Sequence, residues 1–337
     1  MPVPAVVPRF RGDALIEWAD HDYRDPGTGE LRIRIAANAL CGTDRHQYHA
    51  GSPIVPGHEA AGIVVDAGSD TTTPVGTRGV IYLMDYCGEC RSCRIGATNQ
   101  CFAKRGDVGL STDGGYGPYV VVHETNFFAV DDNLDLATAT MLLDVMGTSS
   151  HALGRAQLLR PDIESIFVAG AGPIGLGVLV MAKVRFGDDF PVYLSDVSTW
   201  RRKFAEDLGA VTFDAGDRAG ILGTGADMSF DTAGKEAARS LALAASSRRG
   251  GLICIGHGEG LGLDVSADLI APERAVAGSE YFRFDELPEN LELLKRHQDY
   301  LSRVITHWLP VSELDSAFRL FFAGQTGKVV VIQETGV

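Results

Sequence analysis

The stretch Val168-Ala169-Gly170-Ala171-Gly172-Pro173-Ile174-Gly175 constrains the fold more than any other part of this chain. It sets the Gly-x-Gly-x-x-Gly spacing directly after an apolar, strand-like run at 165–169 and at the head of a helical run at 174–185. In that context each glycine has its own reason: a tight turn at Gly170, close backbone approach to a pyrophosphate at Gly172, and close helix packing at Gly175. Ile174 opens the helix whose N-terminus would face the phosphates. Such a site needs an acid about 20 residues further on, at the end of the next strand, to hold the adenosine ribose hydroxyls. Asp196 stands there, immediately after the strand-like run 192–195. The competing reading is a glycine turn with Asp196 merely capping the helix that starts near Ser198. A carboxylate at 196 repels a 2′-phosphate, which favours NAD over NADP. Arg201 and Arg202 pull the other way, since a guanidinium can accommodate that phosphate, although either can also pack on the adenine.

Around this motif, strand-like runs at 165–169, 192–195, 228–231 and 252–255 alternate with helical runs at 174–185, 198–208 and 235–246. That alternation predicts an α/β domain over 147–282, a doubly wound parallel sheet of the Rossmann type. The preceding part is different: short strands at 31–36, 61–65, 79–83 and 119–122 are broken by turn signals, so this half reads as β-rich. The tail carries a helix at 288–296 and a strand at 328–333, and it does not extend the βα alternation. It is expected to return to the first half.

Four of the six cysteines fall in Cys87-x-x-Cys90-x-x-Cys93 followed, after seven intervening residues, by Cys101. Four thiolates this close suit a tetrahedral ion with Zn–S bonds of about 2.3 Å, closed to water and therefore structural. An iron–sulfur cluster and buried free thiols are the rival readings. No basic and apolar leader precedes Asp13, which points to the cytoplasm, where thiols stay reduced and crowded cysteines mean metal rather than disulfides. The net charge of −14 would repel nucleic-acid phosphates and anionic lipid, and no apolar run reaches the roughly 18 residues of a spanning helix. Neither nucleic acid nor membrane is expected as a partner.

Two further segments, Cys41-Gly42-Thr43-Asp44-Arg45-His46 and Gly57-His58-Glu59, carry donors of another kind. Singly, Cys41 reads as a small buried hydrophobe, His58 as a core histidine and Glu59 as a surface charge. Together with the cysteine lobe and the glycine motif, in this order and spacing, they resemble the zinc-dependent medium-chain alcohol dehydrogenases over about 31–333. Within that family the segment 41–46 is most similar to the threonine, sorbitol and other polyol or sugar dehydrogenases.

The resemblance implies a catalytic zinc on Cys41 and His58, with Glu59 as a ligand or an exchanging carboxylate, and Asp144 at a third ligand position. Glu59 and Asp144 compete for that role. It also implies a structural zinc on Cys87, Cys90, Cys93 and Cys101, hence two zincs per chain. Thr43 and His46 would pass the alcohol proton outward, Asp44 would orient a ligand from behind, Thr148 would pack on the nicotinamide, and Arg201 would hold the adenosine part. Thr148 reads equally well as a helix-starting hydroxyl. His257 departs from the apolar residue usual at its position and is given no catalytic role.

The implied architecture is a GroES-like (chaperonin-10-like) catalytic domain of 1–146 and 283–337 joined to the Rossmann domain at 147–282. The implied reaction is hydride transfer from a secondary alcohol to NAD, giving a ketone or lactone. Polar residues near Cys41, namely Asp44, Arg45, His46 and Gln47, favour a polyol or sugar. Threonine, a simple secondary alcohol with NADP, and a redox-inactive zinc protein that binds NAD are the alternatives. A homodimer or homotetramer is the expected assembly.

Overall fold

Six short strands lie side by side, all parallel, in the computed structural model, which describes residues 2–334. Met1 and residues 335–337, assigned by sequence to the catalytic domain, lie outside the described residues. The order is Val211–Asp214, Val192–Asp196, Ile166–Ala169, Ala226–Asp231, Ser246–Cys254 and Ala275–Gly278. Every residue of Ile166–Ala169 and of Ala226–Asp231 is buried, as expected for central parallel strands covered by helices on both faces. The chain winds outward in both directions from Ile166–Ala169. The crevice at the C-terminal ends of it and its neighbour is therefore the position where such sheets bind ligands.

The two outermost strands, Val211–Asp214 and Ala275–Gly278, do not stand out in the sequence. They are four residues each and partly exposed, so they lack the apolar run that marks the central strands.

A second, seven-stranded sheet runs Ile305–Pro310, Lys328–Ile332, Glu30–Ala39, Ala60–Ala67, Arg78–Ile81 and Phe127–Ala129, with Tyr119–His123 also paired to Glu30–Ala39. The C-terminal strand does return to the first half: Val330 pairs antiparallel with Ala39. This return brings Lys328 beside the segment around residue 59, a placement that matters below. Three elements were not foreseen here: Ile305–Pro310, the helix Leu314–Phe322, and the hairpin Val3–Gly12 with Leu15–Tyr23. The hairpin turns through Asp13 and Ala14, both at positive φ, which lets two residues match the twist of the strands. Prolines 2, 4 and 8 hid it in the sequence. The expected helix at 288–296 runs Leu287–Leu301, with a break in helical geometry at His297.

One apolar core joins the two sheets. Leu142, Leu143, Val145 and Met146 pack in the same cluster as Leu176, Leu179, Phe282, Leu287 and Leu294, so the segment that connects the halves is itself buried. Among the described residues, no helix is long and apolar enough to cross a membrane.

Candidate active site

The glycine loop behaves as its spacing predicts. Gly170 sits at φ +104°, a conformation that side chains rarely adopt. A Cβ on Gly175 would overlap the carbonyl oxygen of Gly170, so the helix Pro173–Phe186 can only begin this close to the strand without a side chain there. A Cβ on Gly172 would meet nothing within 4 Å, leaving the space a pyrophosphate would need. The carbonyl of Ile174 accepts from Ser149 Oγ at 3.3 Å, tying the helix start to the connecting segment.

Asp196 is buried with its carboxylate turned to the loop. Oδ2 accepts from the Ala171 amide at 2.8 Å and Oδ1 from the Ser198 amide at 2.7 Å. The helix that follows is capped by Ser198, whose Oγ accepts from the Arg201 amide at 3.3 Å, so Asp196 is not its cap. The two arginines differ. Arg202 is engaged by Asp214 at 2.9 Å and by the Asp196 carbonyl at 2.7 Å, whereas Arg201 Nε has no hydrogen-bond partner among the described residues. Thr148 is buried, makes no cap bond, and its hydroxyl has no partner among the described residues, which removes the helix-starting reading.

In the cysteine lobe the sulfurs stand 3.9 Å apart for Cys87 and Cys93, 3.5 Å for Cys90 and Cys93, 3.9 Å for Cys90 and Cys101, and 3.5 Å for Cys101 and Cys87. A tetrahedron with 2.3 Å Zn–S bonds has edges of about 3.8 Å. The donor set fits one ion; these spacings are too long for a disulfide and too short for several irons to lie between them. Backbone amides of Cys93 and Phe102 donate to the Cys90 sulfur and bring its pKa down to about 6. Burial, followed by its hydrogen bond with Cys90, pushes Cys93 up to about 12. Four adjacent thiols cannot all ionise without a cation, and a divalent ion would relieve that conflict.

The lobe is docked on the segment leading out of the Rossmann sheet. Asn99 Nδ2 donates to the Glu280 carbonyl at 2.7 Å and the Phe284 amide to Thr98 Oγ1 at 2.9 Å. Replacing Cys93 by Ser is therefore expected to release one zinc per chain and to lower the thermal midpoint by roughly 5–10 °C, read by metal analysis and thermal unfolding.

The second cluster lies deep at the joint of the two sheets. One donor atom each from Cys41, His58, Glu59 and Asp144 falls within 4.8 Å of all the others, and all four residues are buried. Cys41 Sγ is 3.0 Å from Asp144 Oδ2, and His58 Nε2 is 3.8 Å from the same oxygen. The other ring nitrogen, Nδ1, faces Asp44 Oδ1 at 3.3 Å, the arrangement that orients a metal-binding imidazole through its distal N–H. Asp44 is fixed in turn by the Cys41 amide at 3.0 Å and the Tyr116 hydroxyl at 2.6 Å. Asp144 is delivered by a single π-helical turn, Asp144–Thr148, the kind of irregularity often found at functional sites.

The electrostatics of this cluster are frustrated without a cation. Burial, then the Asp144 charge, pushes the Cys41 thiol up to about 11. Burial and Asp144 likewise hold Glu59 well above the usual carboxylate range, against the pull of Lys328. Burial opposes ionisation of Asp144 too, but His58 and Lys328 outweigh it and keep this carboxyl below its usual value. Among the described residues, buried Glu59 Oε2 has no hydrogen-bond partner, and buried His58 Nδ1 and Asp44 Oδ1 face only each other. Mixed N, O and S donors of this type suit zinc.

Beside this cluster, Thr43 Oγ1 is 3.6 Å from Cys41 Sγ. Thr43 and His46 line one cavity of about 590 Å3 together with Gly42, Arg45, His49, Ala50 and His257. From sequence, Asp44 and Gln47 are expected among the polar groups facing a substrate. The structure corrects this, because both are buried: Asp44 serves His58, and Gln47 Nε2 donates to the Gly109 carbonyl at 3.1 Å. His257 is instead the polar residue that the cleft gains from the opposite domain, with Nε2 at 3.5 Å from Glu280 Oε2. It also lines a larger cavity, of about 920 Å3, between the cysteine lobe and the strand ends.

Two structural supports escaped the sequence. Lys328 reads as part of an apolar strand but donates to Glu59 Oε1 in the interior. Asp231 pairs with Arg239 Nε at 2.7 Å and accepts from the amides of Ala233 and Gly234, both at 2.9 Å, so it organises the loop next to the glycine motif. A lysine inside a valine run is a signal that could have been read, since an ammonium is almost never buried unpaired.

Comparison with known proteins agrees with this architecture. Residues 27–132 match the alcohol dehydrogenase GroES-like domain and residues 173–296 match the zinc-binding dehydrogenase domain. L-threonine 3-dehydrogenase of Francisella tularensis subsp. mediasiatica is 29% identical over 93% of this chain and 95% of its own. A zinc-binding dehydrogenase from Sinorhizobium meliloti, solved with NADP and described as putative, superposes with a TM-score of 0.83 at 25% identity, over 97% of this chain and 98% of that one. Alcohol dehydrogenase TADH from Thermus sp. ATN1 superposes with a TM-score of 0.89 at 22% identity, over 98% and 100% of the two chains. With both domains matched in order and the fold shared from end to end, the chain belongs to the zinc-dependent medium-chain alcohol dehydrogenase family.

Proposed function

We propose that this protein oxidises a secondary hydroxyl of a polyol or sugar to a ketone or lactone, with NAD as hydride acceptor and two zinc ions per chain. The observation that carries the reading is the convergence of Cys41, His58 and Asp144 beside the cleft lined by Thr43 and His46. Zinc at the Cys41 site would supply Lewis acidity to the reacting oxygen, and NAD would supply the acceptor for the hydride.

The chain's own residues do the rest. Asp44 holds the His58 ring by its outer nitrogen, and Thr43 takes up the alcohol proton and passes it to His46, which is exposed and can release it to water. Balance requires one proton out and one hydride to NAD for each alcohol oxidised. Arg45, His46, His49 and His257 give the cleft donors suited to a hydroxyl-rich substrate. The protein is proposed to act in the cytoplasm as a homodimer or homotetramer.

Asp196 supports NAD, because its carboxylate sits where the adenosine ribose would be held and would repel a 2′-phosphate. A second reading, NADP, is favoured by Arg201 Nε, which has no partner among the described residues, and by the NADP-bound relative. Nicotinamide absorbance followed across polyols, sugars, threonine and simple secondary alcohols with both cofactors separates these readings. NAD is expected to be preferred by about tenfold or more in kcat/KM, and Asp196→Ser to erase most of that preference. Turnover of threonine, or only of simple alcohols with NADP, would replace the polyol reading. Binding of NADH without turnover of any alcohol would leave a redox-inactive zinc protein.

A further inference from the structure

Four donors surround the Cys41 site, and four donors are one too many for an open position. Cys41, His58, Glu59 and Asp144 could together saturate a tetrahedral ion, leaving it as closed as the four-cysteine lobe. Something must hold one of them back. Asp144 is not bonded to Lys328: among the described residues, its side-chain contacts are those of Oδ2 with Cys41 and His58. Glu59 is different. Its Oε1 accepts from the ammonium of Lys328, which is 1% exposed on the returning strand Lys328–Ile332, while Glu59 itself is wholly buried. The other oxygen, Oε2, is buried and has no partner among the described residues, so the carboxylate lies within reach of the site but is leashed from one side.

The charges make the same point. Of the four donors, a thiolate and two carboxylates bring three negative charges into a buried site that also holds the Asp44 carboxylate, and a divalent ion neutralises only two. The Lys328 ammonium offsets the charge of Glu59, and burial of an ammonium is tolerated only where it is paired in this way. Among the described residues, Lys328 Nζ has no other side-chain bond.

We propose that Lys328 is a positioning residue that keeps Glu59 off the metal, so that Asp144 is the third protein ligand and the fourth position stays open for substrate. This rests on the zinc site proposed above. Lys328 lines neither of the two cavities at the cleft, and it acts through Glu59.

The test uses the full-length protein with cobalt in place of zinc, and azide as the probe of the open position. Azide should perturb the visible cobalt absorption of the wild type, and only through the Cys41 site, because the four-cysteine lobe has no free position. In Lys328→Met, Glu59 is released to close on the metal, and azide affinity is expected to fall by about tenfold or more. The double variant Lys328→Met/Glu59→Gln should regain affinity to within about threefold of wild type, a recovery that a general structural defect would not give. Circular dichroism and NADH binding confirm that the variants fold. Should Lys328→Met not fold, Lys328→Gln keeps the volume and one donor without the charge, and its azide affinity should fall in the same direction. Wild-type azide affinity in the folded single variants would overturn the proposal. A wild-type protein whose cobalt spectrum has no component lost in Cys41→Ser would instead overturn the zinc site, and the proposal with it.

Discussion

Cys41→Ser is expected to lower turnover at least about a thousandfold, to remove one zinc per chain, and to leave NADH binding within a few-fold of wild type. The thiolate is the only soft donor in a site otherwise made of an imidazole and carboxylates. A serine hydroxyl there would not ionise in competition with Asp144 and Glu59, so the ion would lose a ligand that no neighbour can replace. Lewis-acid stabilisation is worth several kcal/mol, and about 4 kcal/mol corresponds to a thousandfold in rate. The glycine loop at the start of Pro173–Phe186 shares no side chain with the cluster, which is why cofactor affinity should survive. Metal analysis, initial rates and NADH titration on one preparation check all three parts. A variant that keeps both zincs or most of its activity would exclude Cys41 as a ligand.

Gly175→Ala is expected to weaken NADH binding by about a hundredfold or more and also to lower the thermal midpoint. The added methyl would overlap the Gly170 carbonyl oxygen and press on Thr232 Oγ1 at 2.9 Å. The helix cannot retreat to make room, because a Cβ at Gly177, two residues on and so on nearly the opposite face, would already overlap the Val145 carbonyl; the helix is packed that closely on the segment that delivers Asp144. The loop must therefore move, and with it the amides that would face the pyrophosphate. A hundredfold is about 2.7 kcal/mol, within the range of a backbone displaced from several charge-assisted hydrogen bonds. Gly172→Ala is the contrasting control. Its methyl meets nothing in the protein, so the midpoint should stay near wild type while NADH affinity falls through collision with the dinucleotide. Fluorescence titration with NADH and thermal unfolding distinguish the two variants, and equal behaviour would mean that the glycines have not been assigned their separate roles correctly.

Much of this site is legible in the sequence because its determinants are local. The glycine spacing, the cysteine spacing and the segment 41–46 each act within a few residues, and short-range rules suffice to read them. What escaped depends on chain return. Lys328 meets Glu59 only because the terminal strand pairs with Glu30–Ala39, and a lone lysine in a valine run does not say which acid it will find. His257 faces Thr43 and His46 across a cleft between residues far apart in sequence, so its departure from an apolar residue could be noticed but not placed. Asp44 and Gln47 were misplaced for the opposite reason. Adjacency to Cys41 suggested a shared surface, whereas a helical turn over Asp44–Ala50 sends neighbouring side chains to different faces and buries these two. The outer strands and the N-terminal hairpin were obscured because half-exposed strands and proline-containing edges carry weak apolar signals.

Each chain is proposed to hold two zinc ions at two independent sites, one for structure and one open to substrate. Zinc content per chain, measured side by side for the wild type, Cys41→Ser and Cys93→Ser, tests it most directly. The expected values are two, one and one, with alcohol-dependent reduction of NAD lost almost entirely in Cys41→Ser. A single zinc in the wild type that is retained in Cys41→Ser and disappears in Cys93→Ser would contradict the claim, leaving a structural metal and no metal at the cleft.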